Sequence, residues 1–200
     1  MRGGVDVSGG GEDELLFASG TQVILGDWSP DGRLIVFASL SRETGFDLWT
    51  YSFEDRKAEP WLVAPLDQGY AQVSPNGRWV TYGSYESGST EVYVQAFPAK
   101  GEGRWQVSHG GDQPRWRSDG KEIFYVANDG TVMAADVKTD GAFDAGTPRP
   151  LFRAQFKSTN GSNYDVSADG QRFLANALRE NDRSGLSTTV VINWTAALKR

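Results

Sequence analysis

One histidine and no cysteine limit the chemistry open to this 200-residue chain before any fold is considered. Without thiolates there is no cysteine nucleophile, no sulfur metal site and no disulfide. One imidazole cannot build a multi-histidine metal centre, so acid–base work near neutral pH would fall to His109 or to carboxylates with displaced pKa values. His109 lies in Ser108-His109-Gly110-Gly111-Asp112, which holds the residue types of a Ser-His-Asp triad. A hydrolase of that kind would present its serine on a Gly-x-Ser-x-Gly elbow, and the chain has none. The segment Asp140-Gly141-Ala142-Phe143-Asp144 is too sparse in oxygen ligands for a calcium loop, and no Walker loop or dinucleotide fingerprint occurs. The expectation is a chain that is not an enzyme, with no catalytic residue, no metal and no cofactor.

With 26 Asp plus Glu against 20 Lys plus Arg the net charge is -6, and the basic residues do not cluster, so nucleic acid is not an expected partner. No window approaches 18 consecutive apolar residues, so no direct membrane insertion is expected. The start, Met1 to Gly11, is Gly-rich and lacks the apolar stretch of a signal peptide. At 38% hydrophobic and 23% charged the composition is that of a globular protein with a packed core.

The elements that would position any site come from a repeat. Four copies of one pattern occur: Asp27-Trp28-Ser29-Pro30-Asp31-Gly32-Arg33, Gln72-Val73-Ser74-Pro75-Asn76-Gly77-Arg78, Arg115-Trp116-Arg117-Ser118-Asp119-Gly120-Lys121 and Asp165-Val166-Ser167-Ala168-Asp169-Gly170-Gln171. In each, Asp or Asn (Asp31, Asn76, Asp119, Asp169) caps its own backbone while Gly takes the positive φ of a tight hairpin, so these acidic residues read as turn chemistry. The fourth residue before each Gly is apolar (Trp28, Val73, Trp116, Val166) and the fifth is polar (Asp27, Gln72, Arg115, Asp165), the alternation of a strand. Beyond the turn Ile35, Val80, Ile123 and Phe173 begin a second strand with one buried face. Third strands follow at Leu48-Trp49-Thr50-Tyr51, Val92-Tyr93-Val94 and Val132-Met133-Ala134, and fourth strands at Pro60-Trp61-Leu62-Val63, Arg104-Trp105-Gln106-Val107 and Arg149-Pro150-Leu151-Phe152. Four strands in roughly 40–45 residues is the period of a β-propeller blade, whereas a sandwich has no reason to repeat the same turn at a fixed interval. Trp residues recur at equivalent places (Trp28 with Trp116, Trp61 with Trp105), which assigns most of the seven Trp to packing between sheets.

The Ser-Pro-Asp-Gly-Arg turn followed by an apolar strand resembles the TolB-like, WD-type propeller repeat, and Tyr164 to Lys199 is similar to the chain end of propellers linked to bacterial serine/threonine kinases. The resemblance implies an all-β propeller over residues 14–195, after a lead-in at 1–13 and before a tail at 196–200. It also implies a location outside the cytoplasm, against the cytoplasmic reading of a chain without a signal peptide. In WD-type blades a buried histidine in the connection between blades ties strands together, which is the structural role implied for His109.

Three complete blades are expected, with a fourth lacking its outer strand. An orphan strand at residues 14–18 could supply that strand by pairing near Val190 to Ile192, closing a four-blade ring. The competing expectation is the C-terminal part of a larger propeller. Function is expected where the connections between blades, and between second and third strands, gather on one face: residues 41–46, 69–70, 85–90, 109–113, 158–164 and 179–186. Tyr70, Tyr85, His109, Gln113 and Tyr164 are the candidate binding residues there. The function expected is a noncatalytic protein-binding, scaffold or sensor module of a bacterial multidomain protein, with a protein or peptide, or other blades of the same protein, as partner. The alternative is a propeller that gates a prolyl oligopeptidase-like hydrolase.

Overall fold

The computed structural model describes residues 15–99, 103–156 and 161–177, and the backbone of 189–192. Every named element is a strand and every ladder is antiparallel. The first sheet runs β1 (Val23–Trp28), β2 (Leu34–Ser41), β3 (Gly45–Ser52), β4 (Lys57–Leu62) in chain order. The second repeats this with β5 (Gln68–Val73), β6 (Trp79–Ser84), β7 (Glu91–Ala96) and β8 (Arg104–Gln106). In the third, β9 (Asp112–Trp116), β10 (Glu122–Val126) and β11 (Thr131–Lys138) are followed by β12 (Asp144–Ala145) and β13 (Arg149–Arg153), both on the outer side of β11. The fourth has β14 (Tyr164–Val166), β15 (Arg172–Ala175) and β16 (Thr189–Ile192).

The four expected turns join the first and second strand of each sheet and share one geometry. Gly32, Gly77, Gly120 and Gly170 hold φ of 71°, 69°, 69° and 71°, a conformation that excludes most side chains. In the first, Ser29 Oγ donates to Asp31 Oδ1 at 2.6 Å and accepts from Leu34 N at 2.9 Å. Ser74 with Asn76 and Ser167 with Asp169 repeat the arrangement. Arg117 replaces that serine in the third turn, and its Nε donates to Asp119 Oδ1 at 2.7 Å.

The sheets pack face to face through three cores. Val36, Ala38, Leu48 and Trp61 of the first meet Ala71, Val73, Val80 and Tyr82 of the second. Trp79, Val92 and Val94 meet Trp116, Ile123 and Tyr125, and Phe124, Val132 and Leu151 meet Tyr164, Phe173 and Ala175. The second strands of the first three sheets are therefore buried on both faces rather than one: the second and third sheets have a neighbour on each side, and Leu16 and Phe17 lie over the outer face of the first. β15 does alternate: Phe173 is buried and Leu174 is 50% exposed, since no further sheet covers that side among the described residues. Tryptophan indoles also bond across the cores, Trp79 Nε1 to Thr139 O and Trp116 Nε1 to Gln72 O, both at 3.2 Å.

Two expectations are corrected. Of the expected strand at 14–18, residues 15–18 form no strand and pair with no strand among the described residues; Phe17 stacks instead on Phe37 and Tyr51, at 5.1 and 5.7 Å between ring centroids. Their apolar character is spent on covering the outer face of the first sheet, and the ring does not close through them. Trp28, expected inside with Trp116, is 50% exposed and lies on Phe53, because that outer face has no preceding sheet among the described residues. The lead-in at 1–13, the loop 179–186 and the tail at 196–200 lie outside the described residues.

Candidate functional site

The first strands β1, β5 and β9 stand side by side, linked through the polar residues of their alternation. Asp27 Oδ2 accepts from Val73 N at 3.0 Å, and Arg115 lies 3.8 Å from Asp165. Each of β5 and β9 contains a bulge at the same place in the repeat. Tyr70 and Ala71 oppose one residue of β6, and Gln113 and Pro114 oppose one residue of β10. Tyr70 and Gln113 both take the left-handed region, at φ 53° and 57°. For residues with a β-carbon this costs roughly 1–2 kcal/mol, and bulges of this kind re-aim side chains near the rim of a sheet.

Re-aimed in this way, Tyr70 lines a cavity of about 450 Å³ on the face opposite the Asp–Gly turns. Its walls come from the start of β1 (Gln22, Ile24), from Phe46, from the connection 67–70, from Tyr85 and Thr90, and from Asp112. Tyr85 is 45% exposed at the rim, its N bonded to Asp67 O at 3.0 Å. Behind Tyr70 lies a smaller cavity of about 90 Å³ containing Arg115 and Ser162. Burial raises the pKa of the Tyr70 hydroxyl, with the nearby Asp112 charge adding to it. Burial pushes the Asp112 carboxyl up to about 6, although the Gln113 N–H that it accepts at 2.7 Å works the other way.

The five expected binding residues therefore separate into three groups. Tyr70 and Tyr85 share the cavity. Gln113 and Tyr164 instead tie the third sheet to the fourth: Gln113 Oε1 accepts from Asn163 N at 2.6 Å, and Gln113 O accepts from the Tyr164 hydroxyl at 3.0 Å. Tyr164 is 4% exposed, burial raises its pKa, and Arg115 lies over its ring at 5.9 Å. His109 is exposed and lies outside the cavity. The tie implied for it is made by its neighbours: buried Ser108 donates to Glu91 Oε2 at 2.8 Å and accepts from Val92 N at 2.7 Å, and Gly110 N donates to the same Glu91 oxygen at 2.6 Å.

Asp67, Gln68 and Asp112 were not among the expected binding residues. Aligning the repeats places Asp112 opposite Gly69, 43 residues earlier, so the acid is a departure from the repeat that sequence comparison within the chain exposes. Gly83 accommodates it, since a β-carbon there would run into Asp112 Oδ1. Gly83→Ala is therefore expected to lower the melting temperature, while Gly69→Ala, with open space at its β-carbon, leaves it nearly unchanged. Equal melting of the two variants would mean that Asp112 is not held against β6.

A larger concavity of about 800 Å³ lies on the turn face, among Asn76, Arg117, Asp119, Lys138 and Asp144. Ion pairs run across it, Arg117 with Asp119 at 2.7 Å and Lys138 with Asp144 at 3.3 Å. Buried Glu122 beside it takes Arg117 at 2.6 Å and also Arg149. Among the described residues no group of three or more His, Cys, Asp or Glu converges on a metal position.

No protein family matches the chain by sequence, and no curated protein does. Solved structures do match by shape. TolB from Acinetobacter baumannii superposes with a TM-score of 0.66 at 17% identity, over 88% of this chain and 42% of that one. The fold is a TolB-like β-propeller. An oligogalacturonate lyase solved with manganese matches at TM-score 0.60 and 15% identity, over 86% of this chain and 49% of that one. A puromycin-hydrolysing peptidase of Mycobacterium tuberculosis matches at 0.54 and 17%, over 74% and 27%. The chain thus spans about half, or less, of the length of the propellers it matches. Each sheet is a blade, and no helix among the described residues is long and apolar enough to cross a membrane.

Proposed function

We propose that these blades form a noncatalytic protein-binding module, and that a protein or peptide docks on the loop face around Tyr70 and Tyr85. The observation that carries this reading is the contrast between the two faces. The turn-face concavity holds the ion pairs Arg117 with Asp119 and Lys138 with Asp144, whereas the loop-face cavity holds the buried, unpartnered Gln68 Oε1 beside Tyr70 and Tyr85. Rigid blades holding Tyr-bearing loops suit this use, because tyrosine supplies contact area with little loss of freedom. The half-exposed Trp28, on the part of the first blade's outer side that residues 15–18 leave open, is proposed to take a further blade of the same protein, since the matched structures are about twice this length. His109 is proposed as a peripheral contact, while Gln113 and Tyr164 support the site by holding blade four to blade three.

Tyr85→Ala and Tyr70→Ala are expected to weaken a partner by about tenfold each in titration calorimetry, roughly 1.4 kcal/mol. Lys121→Ala, on the turn face, is expected to leave the affinity unchanged. The reverse pattern would move the site to the turn face. A second reading, gating beside a hydrolase domain, is favoured by the shape shared with the peptidase. Under that reading the loop face would admit a peptide to a neighbouring active site, and the same substitutions would change substrate selection instead.

A further inference from the structure

Gln68 is 1% exposed, and among the described residues its Oε1 is the buried side-chain polar atom with no hydrogen-bond partner. The amide orientation is fixed from the other end, since Nε2 donates to Leu66 O at 2.7 Å, and turning the group over would set two oxygens against each other. A buried acceptor left unpaired typically costs about 1–3 kcal/mol, and none of the described residues supplies the donor missing at this cavity wall. Two carboxylates line the same cavity, each with one oxygen engaged by backbone: Asp67 Oδ1 takes Phe46 N at 2.9 Å, and Asp112 Oδ1 takes Gln113 N. Phe46, Tyr70 and Tyr85 supply ring faces, and no Lys, Arg or His is among the lining residues. Arg115 lines the smaller cavity behind Tyr70 and is matched by Asp165.

Taking the loop face as the binding face, we propose that this cavity receives a primary ammonium group, the side chain of a lysine on the partner, with Asp67, Gln68 and Asp112 as its acceptors. An ammonium is a compact charge with three donors on a flexible apolar stem, which matches three separate acceptors and a lining of aromatic rings. A guanidinium asks for a carboxylate with both oxygens open, and here each carboxylate already has one taken. With two carboxylates and no third acid the acceptors also fall short of the metal sets described above. The cavity volume is ample for a lysine side chain, and its mouth lies beside the exposed ring of Tyr85.

The test is an NMR titration of the whole chain with four probes. These are a capped tripeptide with central lysine, the same peptide with norleucine, the same with acetyl-lysine, and n-pentylammonium as a free amine. The lysine peptide is expected to shift the Gln68 side-chain amide and the Tyr70 ring, with norleucine and acetyl-lysine at least about tenfold weaker. Asp112→Asn and Asp67→Asn should each weaken the lysine peptide by a similar factor, and the melting temperature of Asp112→Asn, measured alongside, confirms that the variant is folded. Equal binding of lysine and norleucine, or an unchanged affinity in Asp112→Asn, overturns the assignment. A free amine that binds about tenfold tighter than the peptide would also overturn it, in favour of a small amine. If Tyr85→Ala weakens a protein partner while the lysine and norleucine probes behave alike, the loop face stands and ammonium recognition falls. Losses confined to the turn face would remove the docking reading itself.

Discussion

Trp116→Ala is expected to destabilise the chain by about 3–5 kcal/mol, the range for removing a large buried aromatic from a core. Trp116 is 7% exposed in the core between the second and third blades, with its ring edge-on to Phe143. Its indole N–H also bonds to Gln72 O, so truncation leaves a gap and strands a carbonyl in the neighbouring blade. Asp31→Ala is the contrast. Asp31 holds Ser29 Oγ and Arg33 N in an exposed turn, where water replaces what the substitution removes. Denaturant melts of the two variants should separate widely, and equal midpoints would mean that the contacts between blades are not where most of the stability resides.

That contrast also explains which parts of the fold were legible. The four turns could be read directly because their geometry is local: a serine or arginine, an acid or amide, and a glycine within four residues close each hairpin on themselves. The strands follow, since alternation on either side of a fixed turn sets register. Burial at a given repeat position could not be read in the same way, because it depends on the neighbour. Trp28 and Trp116 hold the same place in the pattern, yet one is half exposed and the other is enclosed by a preceding blade. Residues 15–18 carry the apolar run of a strand, and only the uncovered face of the first blade decides that they lie across it.

The candidate site was legible in part for the same reason. Tyr70 and Tyr85 were found because their loops fall at the end of the strands where connections gather. Gln113 has the same position and the same strained backbone as Tyr70, but its amide is drawn into the next blade by Asn163, a contact 50 residues away. His109 carried the chemical signal, while beside it Ser108 makes the tie between strands and Asp112 lines the cavity. Glu91 and Gly83, the partners that give these two residues their roles, lie on other strands and meet them only after folding.

Asp112 makes the relation between stability and function measurable. An unfolded aspartate titrates near 3.8, and in the fold burial raises the value to about 6. Between those pH values the native state keeps a proton that the unfolded state has lost, so stability falls as pH rises through this window and stays lower above it. A displacement of about two pH units corresponds to roughly 3 kcal/mol at full ionisation. Asp112→Asn mimics the protonated acid, retains an acceptor for Gln113 N and places the same volume against Gly83. It is expected to melt several degrees above the parent chain at pH 7.5, with the difference shrinking through pH 6 and vanishing near pH 4. Tyr70 and Tyr164, whose raised pKa values include a contribution from Asp112, titrate too high to contribute to this window. Parallel melting profiles for the two proteins from pH 4 to 8 would show that Asp112 is solvated as an ordinary surface acid. A variant that gains stability and loses the lysine probe would instead show why the acid is there: its charge is unfavourable to the empty fold and is compensated when a cation occupies the cavity.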